Sequence, residues 1–560
     1  ATAGYNRKIS TSSSYIPSTT YEGESVNGKA AKNMDEQSDY LLNVIATYAR
    51  TFKEKHSLSV MGGWEYQRFV NEGFNAMNTG FPYDGVKWYN LWLGTNEKPT
   101  VGSYGAVSEN ASFLARVNYS FDNRYLLTLN YRYDGSSNFA PNKQWGHFGG
   151  GAIAWRISEE AFLKDKVSWL NNLKLRFGAG VTGYAGNLTG TRTYYKAGYD
   201  YYFNNKTSSG IGLNTLGNPD LSWESQRDLN LGLDFGLFHN RLAGSIEIYE
   251  RTIFNRIGHK NLMSYQEVNT LAYNTKRIDK TRGVDITLTG TILDKKNFTW
   301  DSQLKFTYYR DMTTRRDPSE VLEINDTEKY HWNDLWYYKS DGLVRPGEVL
   351  SGQTGAKAGA VRIKDLNGYK RDESGNKIYD ESGKPIYLGH PDGMIDKADL
   401  VKIANNTPIP FGWSNNFKYK NFDLNIYFYG KLNYRKDNDY KGYADPVTIF
   451  NGLNGTSYIR DRMSFDNPNS QVPSFQIWSG GYGVGDYYLE KAWFIRLDNV
   501  SLGYTLPKKI TSRICQSARF YFAAKNICVI SPYKGADPEF DVYGGYPSVR
   551  SFTIGVDIKF

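Results

Sequence analysis

Alternation of apolar and polar side chains is the dominant pattern along this chain. In its last ten residues, one face carries Phe552, Ile554, Val556, Ile558 and Phe560. The residues between them are Thr553, Gly555, Asp557 and Lys559. A period of two residues is typical of a β-strand with one apolar and one polar face. The end of the chain is therefore predicted to be such a strand.

The same alternation recurs along the chain and predicts about 16 strands, with boundaries uncertain by a few residues. They cover about 5–20, 38–52, 56–71, 110–121, 125–134, 145–157, 172–183, 223–238, 241–254, 276–291, 298–310, 409–420, 422–433, 491–506, 517–529 and 549–559. Charged groups such as Arg116, Arg132 and Arg176 lie well inside the polar faces. Because such groups need water, those faces are predicted to line a wet lumen.

The connections between these strands are of two kinds that largely alternate. Some are tight and polar, such as 121–125 and 238–242. Others are long: about 73–108, 185–222, 255–274, 311–407, 434–489 and 530–547. This arrangement predicts an all-β, antiparallel, up-and-down transmembrane β-barrel with short periplasmic turns and long extracellular loops. A strand of a soluble β-sandwich remains the alternative for any single segment.

Two local features depart from simple alternation. In 491–506 the apolar phase changes, and a β-bulge near Asp498–Asn499 would reconcile the two halves. After 145–157, Ser158 precedes Glu159 and Glu160, which suits the start of a short helix, with Ser158 as the N-cap. The two glutamates are interpreted as helix-start residues and not as a catalytic pair, because adjacent helical residues do not face each other.

Composition agrees with a β architecture. The chain has 560 residues, 16% aromatic residues, 45 tyrosines and 55 glycines, so intrinsic disorder is excluded and many turns are expected. The net charge of +9 is small for this length and gives no reason to expect a nucleic-acid partner. The two cysteines are too few for a disulfide scaffold, and two free thiols are predicted. No apolar run is long enough for a transmembrane helix.

Several segments, in order, resemble the SusC-like (also RagA-like) TonB-dependent outer-membrane transporters. They are AWRISEEAFL at 154–163, LKLR at 173–176, GVTGYAGN at 180–187, NPDLSWE at 218–224, KTRGVD at 280–285, RLDNVSLGYTLP at 496–507, YKGADPE at 533–539 and YPSVRSFTIG at 546–555. Each segment alone is weak, but their order and their spread over about 110–560 are typical of the family.

The resemblance implies a barrel of about 22 strands, a plug domain and a TonB-contacting segment. All of 1–560 is then expected to be the C-terminal portion of the barrel, with the plug and the TonB box outside this chain. The resemblance further implies a SusD-like lipoprotein as partner, TonB-ExbB-ExbD acting through the plug, and a place among the lipids of the outer membrane of a Gram-negative-type bacterium. The chain begins at Ala1 without a signal peptide, which is interpreted as a mature chain or a fragment.

An acidic loop that is continuous in many members of this family is split here. Asp365 and Asn367 begin it, and Asp392, Asp396 and Asp399 finish it, with a predicted inserted hairpin at about 369–391 between them. Alternating carboxylates around a glycine suit Ca²⁺, which prefers six to eight oxygen ligands. A structural Ca²⁺ is therefore one interpretation of these five residues. A polar hairpin stabilised by Asx turns is the other.

No catalytic motif survives inspection, so the chain is not predicted to be an enzyme. Gly178–Gly183 matches G-x-G-x-x-G, but a Gly- and Thr-rich loop follows it where a dinucleotide site needs a helix. Gly23–Ala30 resembles a phosphate-binding loop, but Ala30 has no hydroxyl to offer Mg²⁺. The six histidines are scattered without metal-ligand spacing.

Aromatic residues in the long loops are the candidate substrate-binding groups. They are Trp88, Trp92, Trp332, Trp336, Tyr337, Trp478 and Tyr482. Aromatic rings stack on sugars or pack on apolar peptide side chains, and their polar tips bond to hydroxyls and amides. The alternative is that they pack the loops together or belong to an aromatic girdle.

The leading hypothesis is the barrel of an active importer of oligosaccharides or oligopeptides, driven by TonB and working with the SusD-like lipoprotein. The sequence does not choose between the two substrates, since aromatic rings serve both. The second hypothesis is a plug-less diffusion porin of about 16 strands.

Overall fold

The structure is a computed structural model of the chain. It describes residues 1–97, 99–164, 166–186, 190–203, 206–262, 268–317, 330–350, 352–353, 355–381, 385–438, 441, 457–474, 484–512, 514–540 and 548–560. Among these residues, no helix is long and apolar enough to span a membrane.

Strands make up nearly all of the regular structure. The first seven are β1 (Thr2–Ile16), β2 (Lys29–Phe52), β3 (His56–Thr79), β4 (Thr100–Phe121), β5 (Tyr125–Ser136), β6 (Trp145–Arg156) and β7 (Leu170–Tyr184). The next ten are β8 (Tyr194–Ala197), β9 (Tyr201–Phe203), β10 (Lys206–Ser208), β11 (Ile211–Thr215), β12 (Glu224–Leu237), β13 (Leu242–Phe254), β14 (Ile257–Asn261), β15 (Thr270–Asn274), β16 (Ile278–Lys295) and β17 (Phe298–Arg315). The last twelve are β18 (Tyr330–His331), β19 (Asp334–Tyr338), β20 (Ser340–Leu343), β21 (Val361–Ile363), β22 (Leu400–Asn405), β23 (Ile409–Tyr419), β24 (Phe422–Leu432), β25 (Arg435–Asp437), β26 (Leu489–Lys491), β27 (Phe494–Thr505), β28 (Ser517–Ile530) and β29 (Ser551–Lys559).

The main sheet has 17 strands, one of which is the two-residue β18. The other 16 correspond one to one to the strands predicted from the alternation, so the all-β, antiparallel fold class is confirmed. Among the described residues the helical elements are short, such as Tyr21–Glu24 and Lys508–Thr511.

The chain divides into two compact units. Unit 1 comprises 1–155, 177–229 and 252–278, and unit 2 comprises 156–176, 230–251 and 279–560. In unit 1, β1 to β6 pair consecutively and antiparallel. The turn between β4 and β5 is tight because Asp122 and Asn123 both adopt positive φ, 51° and 55°. This conformation matches the right-handed twist of the strands that it joins.

The two faces of the unit 1 strands differ as the alternation predicts. On one face, Arg116 Nε donates to Asn130 Oδ1 at 2.6 Å, and Thr128 Oγ1 donates to Asn118 Oδ1 at 2.9 Å. On the other face, the exposed side chains are apolar: Val60, Phe113, Leu129 and Tyr131 among others. A water-facing polar surface backed by an exposed apolar surface is the arrangement of a membrane β-barrel wall.

Unit 2 repeats this design in β17, β23, β24, β27, β28 and β29, which pair antiparallel in that order. On its polar face, the Arg519 guanidinium bridges Asp423 at 2.6 Å and Asp557 at 3.1 Å. The predicted bulge is confirmed, because Tyr427 pairs with Asn499 while Phe428 pairs with Leu497, leaving Asp498 unpaired. This extra residue shifts the apolar phase of β27.

Two local predictions are wrong. The helix predicted after Ser158 is a single 3₁₀ turn, Ile157–Glu159, which begins before Ser158, and its N-cap position, Arg156, makes no side-chain capping bond. The connection predicted at 73–108 is shorter, because β3 continues to Thr79 and β4 begins at Thr100. The prediction of two free thiols is confirmed, since Cys515 and Cys528 are both free.

Long connections fold into small antiparallel hairpins. In unit 1 these are β8–β11, β9–β10 and β14–β15. In unit 2 they are β19–β22, β20–β21 and β25–β26. The sequence patterns did not predict any of these, since each strand is only three to six residues long.

Candidate functional site: the aromatic connections

The unit 2 connections are built around a hydrophobic core of their own. Its buried members are Leu343, Val361, Ile363 and Met463. Partly buried side chains packed against them are Tyr338, Ala358, Ile395, Val484 and Tyr487. These residues lie at 338–363, at 395, at 463 and at 484–487, so the core ties distant parts of the unit 2 connections together.

Trp336 and Tyr337 lie on β19, where successive side chains point to opposite faces. The Tyr337 hydroxyl donates to Asp437 Oδ2 at 2.7 Å. Burial, followed by this bond to Asp437, raises the pKa of Tyr337 above its ordinary value, so the hydroxyl keeps its proton. Since the two rings face opposite ways, β19 by itself does not bring them onto one binding surface.

Trp332 is anchored at one end and open at the other. Its Nε1 donates to Thr313 Oγ1 at 2.8 Å, and Thr313 Oγ1 in turn donates to Asp279 Oδ1 at 2.7 Å. Both Thr313 and Asp279 are buried, whereas 40% of Trp332 is exposed. A ring that is held through its polar edge and has free apolar surface is suited to stacking on a ligand.

Trp88 and Trp92 lie in the β3–β4 connection of unit 1. Trp92 is 86% exposed and lies on a 3₁₀ turn whose start is capped by Asn90, with the Oδ1–N distance 3.2 Å. Trp88 is half-buried beside Tyr89, with ring centroids 5.6 Å apart. Asn78 fixes this turn by donating to the carbonyl oxygens of Leu91 and Gly94. Trp478 and Tyr482 lie outside the described residues.

The split acidic loop is folded by its own carboxylates. Asp399 is fully buried, and its Oδ1 accepts from the N–H groups of Leu366 and Asn367 at 2.6 and 3.0 Å. Its Oδ2 accepts from the N–H of Asp396, which completes a capping box. Burial raises the pKa of Asp399 despite these three bonds. The loop therefore holds Asp399 by backbone donors.

The other predicted calcium ligands have similar partners. Asp365 accepts from the N–H of Gly393 at 2.6 Å, and Asn367 Oδ1 accepts from Gly368 and Gly389. Asp392 accepts from Met394, and Asp396 pairs with Arg371 at 2.9 Å. Within the described ranges, no three His, Cys, Asp or Glu side chains form a group that could hold a metal ion. The oxygens thus serve Asx-type turns in this arrangement, and calcium stays a prediction.

Two charged groupings in unit 2 were not predicted. Arg496, on β27, is 2% exposed and pairs with the buried Asp537 at 2.9 Å. Asp486 accepts from Lys339 Nζ at 2.7 Å and from Ser340 Oγ at 2.6 Å. Arg496 and Asp537 belong to the family-like segments 496–507 and 533–539, but the alternation of residues did not indicate that the two side chains form an ion pair.

A third unpredicted feature is a tyrosine-rich stretch of unit 1. Residues 194–203 contain Tyr194, Tyr195, Tyr199, Tyr201, Tyr202 and Phe203, and all six are exposed. The density of aromatic residues in this stretch is a signal that sequence inspection could have used.

Curated relatives match nearly the whole chain. TonB-dependent receptor P3 of Formosa agariphila is 28% identical over 586 residues, covering 100% of this chain and 56% of that protein. TonB-dependent receptor SusC of Bacteroides thetaiotaomicron is 27% identical over 551 residues, covering 92% of this chain and 50% of that protein. The chain thus spans about half the length of the curated relatives it matches. No family model matches it.

Solved structures agree on the fold. The structure of the RagAB peptide transporter matches with a TM-score of 0.79 at 23% identity, covering 100% of this chain and 59% of that one. The RagAB peptide importer in its "open-open" state gives a TM-score of 0.78 at 22% identity, with coverage of 100% and 58%. These relatives are named as receptors and transporters, and none is named as an enzyme. The chain is therefore similar to the SusC/RagA-like TonB-dependent receptors over nearly its whole length, and it shares its fold with the RagAB transporter.

Proposed function

We propose that the protein to which this chain belongs is an outer-membrane active importer. Its substrates are oligosaccharides or oligopeptides, its energy comes from TonB-ExbB-ExbD through a plug, and a SusD-like surface lipoprotein works with it. All of 1–560 is assigned to the barrel wall and its connections. The observation that carries the proposal is that likeness to SusC and to the RagAB transporter extends over nearly the whole chain.

The wall strands support this role through their polar faces. In unit 2, Arg519 forms ion pairs with Asp423 and Asp557 on neighbouring strands. In unit 1, Arg116 donates a hydrogen bond to Asn130 on the neighbouring strand. These ion pairs and hydrogen bonds present a wetted polar surface to a polar solute. The chain makes and breaks no covalent bond in this proposal.

The connections support substrate capture. Trp332 and Trp92 offer exposed ring surface on supports fixed by hydrogen bonds. Rings of this kind bind sugar faces and apolar peptide side chains alike. The name of the RagAB structures specifies peptide, whereas the exposed rings described in this chain suit a peptide and a glycan alike. Both substrate classes therefore belong to the proposal.

The test is purification of the intact protein from outer membranes in mild detergent, followed by mass spectrometry of what co-purifies. We expect a surface lipoprotein and a plug-bearing polypeptide. Uptake of the substrate should also stop in cells that lack TonB. A lone, heat-modifiable barrel that conducts ions in planar bilayers, with uptake unaffected by loss of TonB, would instead identify a diffusion porin.

A further inference from the structure

The apolar face of the unit 1 wall ends in a row of aromatic rings beside its short turns. Residues directly opposite each other in an antiparallel pair share a face of the sheet. The paired residues nearest the turns at 52–56 and 121–125 are Phe52, His56, Phe121, Tyr125 and Trp155. Phe52, Tyr125 and Trp155 are exposed. Exposed rings at the end of an apolar wall are typical of the membrane–water interface.

The next row of this face contains one cation among apolar residues. Its members, from β2 to β6, are Arg50, Leu58, Tyr119, Leu127 and Ile153. The row beyond it is Tyr48, Val60, Val117, Leu129 and Gly151. In these three rows, all of them described, Arg50 is the sole Arg, Lys, Asp or Glu. It therefore lies where the apolar wall meets the aromatic row.

A cation on the lipid-facing side of a barrel wall is costly unless its charge reaches water or a polar partner. Arg50 is exposed, and within the described part of the chain its side chain forms no ion pair or hydrogen bond. Its guanidinium carbon lies 5.1 Å from the centroid of the Phe52 ring. Because Phe52 is nearer the turn, the Arg50 side chain extends along the wall toward the interface. Its N–H donors are thus presented at the level of lipid headgroups.

The adjoining turn adds positive charge to this end of the wall. It contains Lys53, Glu54 and Lys55, all three exposed. With Arg50 there are three cations and one acid, a net charge of +2. In the neighbouring turn, Asp122 is ion-paired with Arg124 and so contributes no net charge. The β2–β3 end therefore attracts an anion.

An anionic phospholipid matches both parts of this surface. Its phosphate accepts charge-assisted hydrogen bonds from a guanidinium, which can bind two oxygens at once. Its acyl chains pack along the apolar rows that continue from Arg50 toward Tyr48 and Val60. Free phosphate would use the charge but not those rows. A sugar or a soluble protein would not bury the apolar rows, which face the hydrocarbon of the membrane.

We propose that Arg50, flanked by Lys53 and Lys55, binds the phosphate of an anionic phospholipid on the outer face of the barrel wall. The short turns are predicted to be periplasmic, so the lipid belongs to the periplasmic leaflet. The inference goes beyond the proposed function, because it requires the membrane-embedded wall and holds for an importer and for a porin.

The test measures binding of phosphatidylglycerol to the intact protein in mild detergent by native mass spectrometry. Arg50→Leu should raise the dissociation constant at least about fivefold, as expected for loss of one cation beside an anionic headgroup. Arg50→Lys should raise it less, because the charge stays and the planar fork is lost. Lys8→Leu is the matched control. Lys8 pairs with Gln37, which lies on the opposite face of β2, so its loss should leave binding unchanged. Heat modifiability verifies that each barrel is folded.

Three results would overturn the proposal. One is equal binding of phosphatidylglycerol to Arg50→Leu and to the unchanged protein. Another is equal loss of binding in Arg50→Leu and Lys8→Leu, which would indicate attraction by net charge. The third is displacement of the lipid by millimolar inorganic phosphate, which would indicate a site for free anions.

Urea unfolding in lipid vesicles adds a readout that a merely structural Arg50 would not change. Adding phosphatidylglycerol to phosphatidylcholine vesicles should raise the urea midpoint of the unchanged protein more than that of Arg50→Leu. In vesicles of phosphatidylcholine alone, Arg50→Leu should be at least as stable as the unchanged protein, because an apolar side chain suits the lipid face. If phosphatidylglycerol shifts both midpoints equally, Arg50 reaches water without binding the lipid, and the proposal is wrong.

Discussion

The connections of the two units use aromatic residues in opposite ways. In unit 2, Tyr337, Tyr338 and Tyr487 are drawn into or against a folded core, and their hydroxyls or rings have partners within the unit. In the β7–β12 connection of unit 1, Tyr195 on β8 and Tyr202 on β9 stay open to solvent. Similar residue types thus act as structural supports in one place and as exposed surface in the other.

The difference follows from what the surrounding chain can bury. Unit 2 places Leu343, Val361, Ile363 and Met463 in one cluster, because its connections are long enough to return to each other. The hairpin strands β9 and β10 have three residues each and carry no such aliphatic cluster. In these two connections, the burial of aromatic side chains therefore depends on the length and aliphatic content of the connection, and not on how many aromatic residues it has.

The largest expected effect concerns the buried ion pair of unit 2. Arg496→Ala leaves Asp537 buried without its partner, which typically costs about 3–5 kcal/mol of unfolding free energy. The measurement is a urea titration of the detergent-solubilised protein. Arg519→Ala is the matched control, because its pair with Asp423 is partly exposed and should cost about 1 kcal/mol or less. Equal effects would mean that burial does not govern these pairs.

The same pair gives a pH dependence with a definite sign. Burial alone would raise the pKa of Asp537, but hydrogen bonds from Ser548, the Glu539 N–H and Arg496 outweigh it and lower the pKa. A lowered carboxyl pKa stabilises the fold above the ordinary value of about 4 and loses this contribution as the pH falls through the lowered value. Stability should therefore drop more steeply below about pH 4 in the unchanged protein than in Asp537→Asn.

The core of the unit 2 connections gives the next largest effect. Leu343→Ala removes a side chain that is 1% exposed, so a loss of about 2–5 kcal/mol is expected. Val349→Ala lies six residues further along at a side chain that is 93% exposed, and should change stability by less than about 0.5 kcal/mol. Limited proteolysis of the intact receptor reads out this connection directly. If the two variants are cleaved alike, the core does not hold the connections together.

Calcium binding at the acidic loop would add a ligand to the contacts that hold unit 2. If the ion binds, a calcium concentration a hundred times its dissociation constant raises the free energy of unfolding by about 2.7 kcal/mol. The double variant Asp392→Asn, Asp396→Asn should then lower the melting temperature more when calcium is present than when it is absent, where only the pair with Arg371 is lost. If neither calcium nor a chelator changes the melting temperature of the unchanged protein, the loop does not bind calcium. Its carboxylates then serve only the Asx turns.

A smaller effect is expected from Tyr337→Phe. The substitution removes the hydrogen bond to Asp437 while keeping the ring, which should cost about 1 kcal/mol. Thermal unfolding followed by circular dichroism can detect it. Tyr379→Phe, at an exposed ring in the same unit, is the control and should have no effect. If Tyr337→Phe does not change the melting temperature, water hydrogen-bonds to the Tyr337 hydroxyl as well in the unfolded chain as Asp437 does in the folded one.

The smallest effect completes the comparison. Tyr195→Ser on β8 should change the stability of the protein by no more than about 0.5 kcal/mol, because most of the ring is exposed. A loss comparable to that of Leu343→Ala, seen in the same thermal assay, would contradict the contrast between the two units.

Much of the wall could be predicted from the chain, because the evidence of a strand is local. Apolar and polar residues alternate in a half-buried strand. All 16 wall strands and the bulge at Asp498 can therefore be predicted without knowing the partner strand. The hairpins in the connections could not be predicted in this way. Strands of three to six residues are too short to establish a period, and the 3₁₀ turn at Ile157–Glu159 carried a convincing but misleading helix signal.

For the candidate site, the sequence determined which residue types are present, and the tertiary structure decided what each of them does. Aromatic residues at 332–338 and at 194–203 read alike along the chain. Whether a ring is supported, buried or open depends on segments that return from far away, as Met463 does to Leu343 and Asp537 to Arg496. Alternation within a strand is set by neighbouring residues, whereas burial is set by contacts between residues distant in sequence, and only the folded chain specifies those.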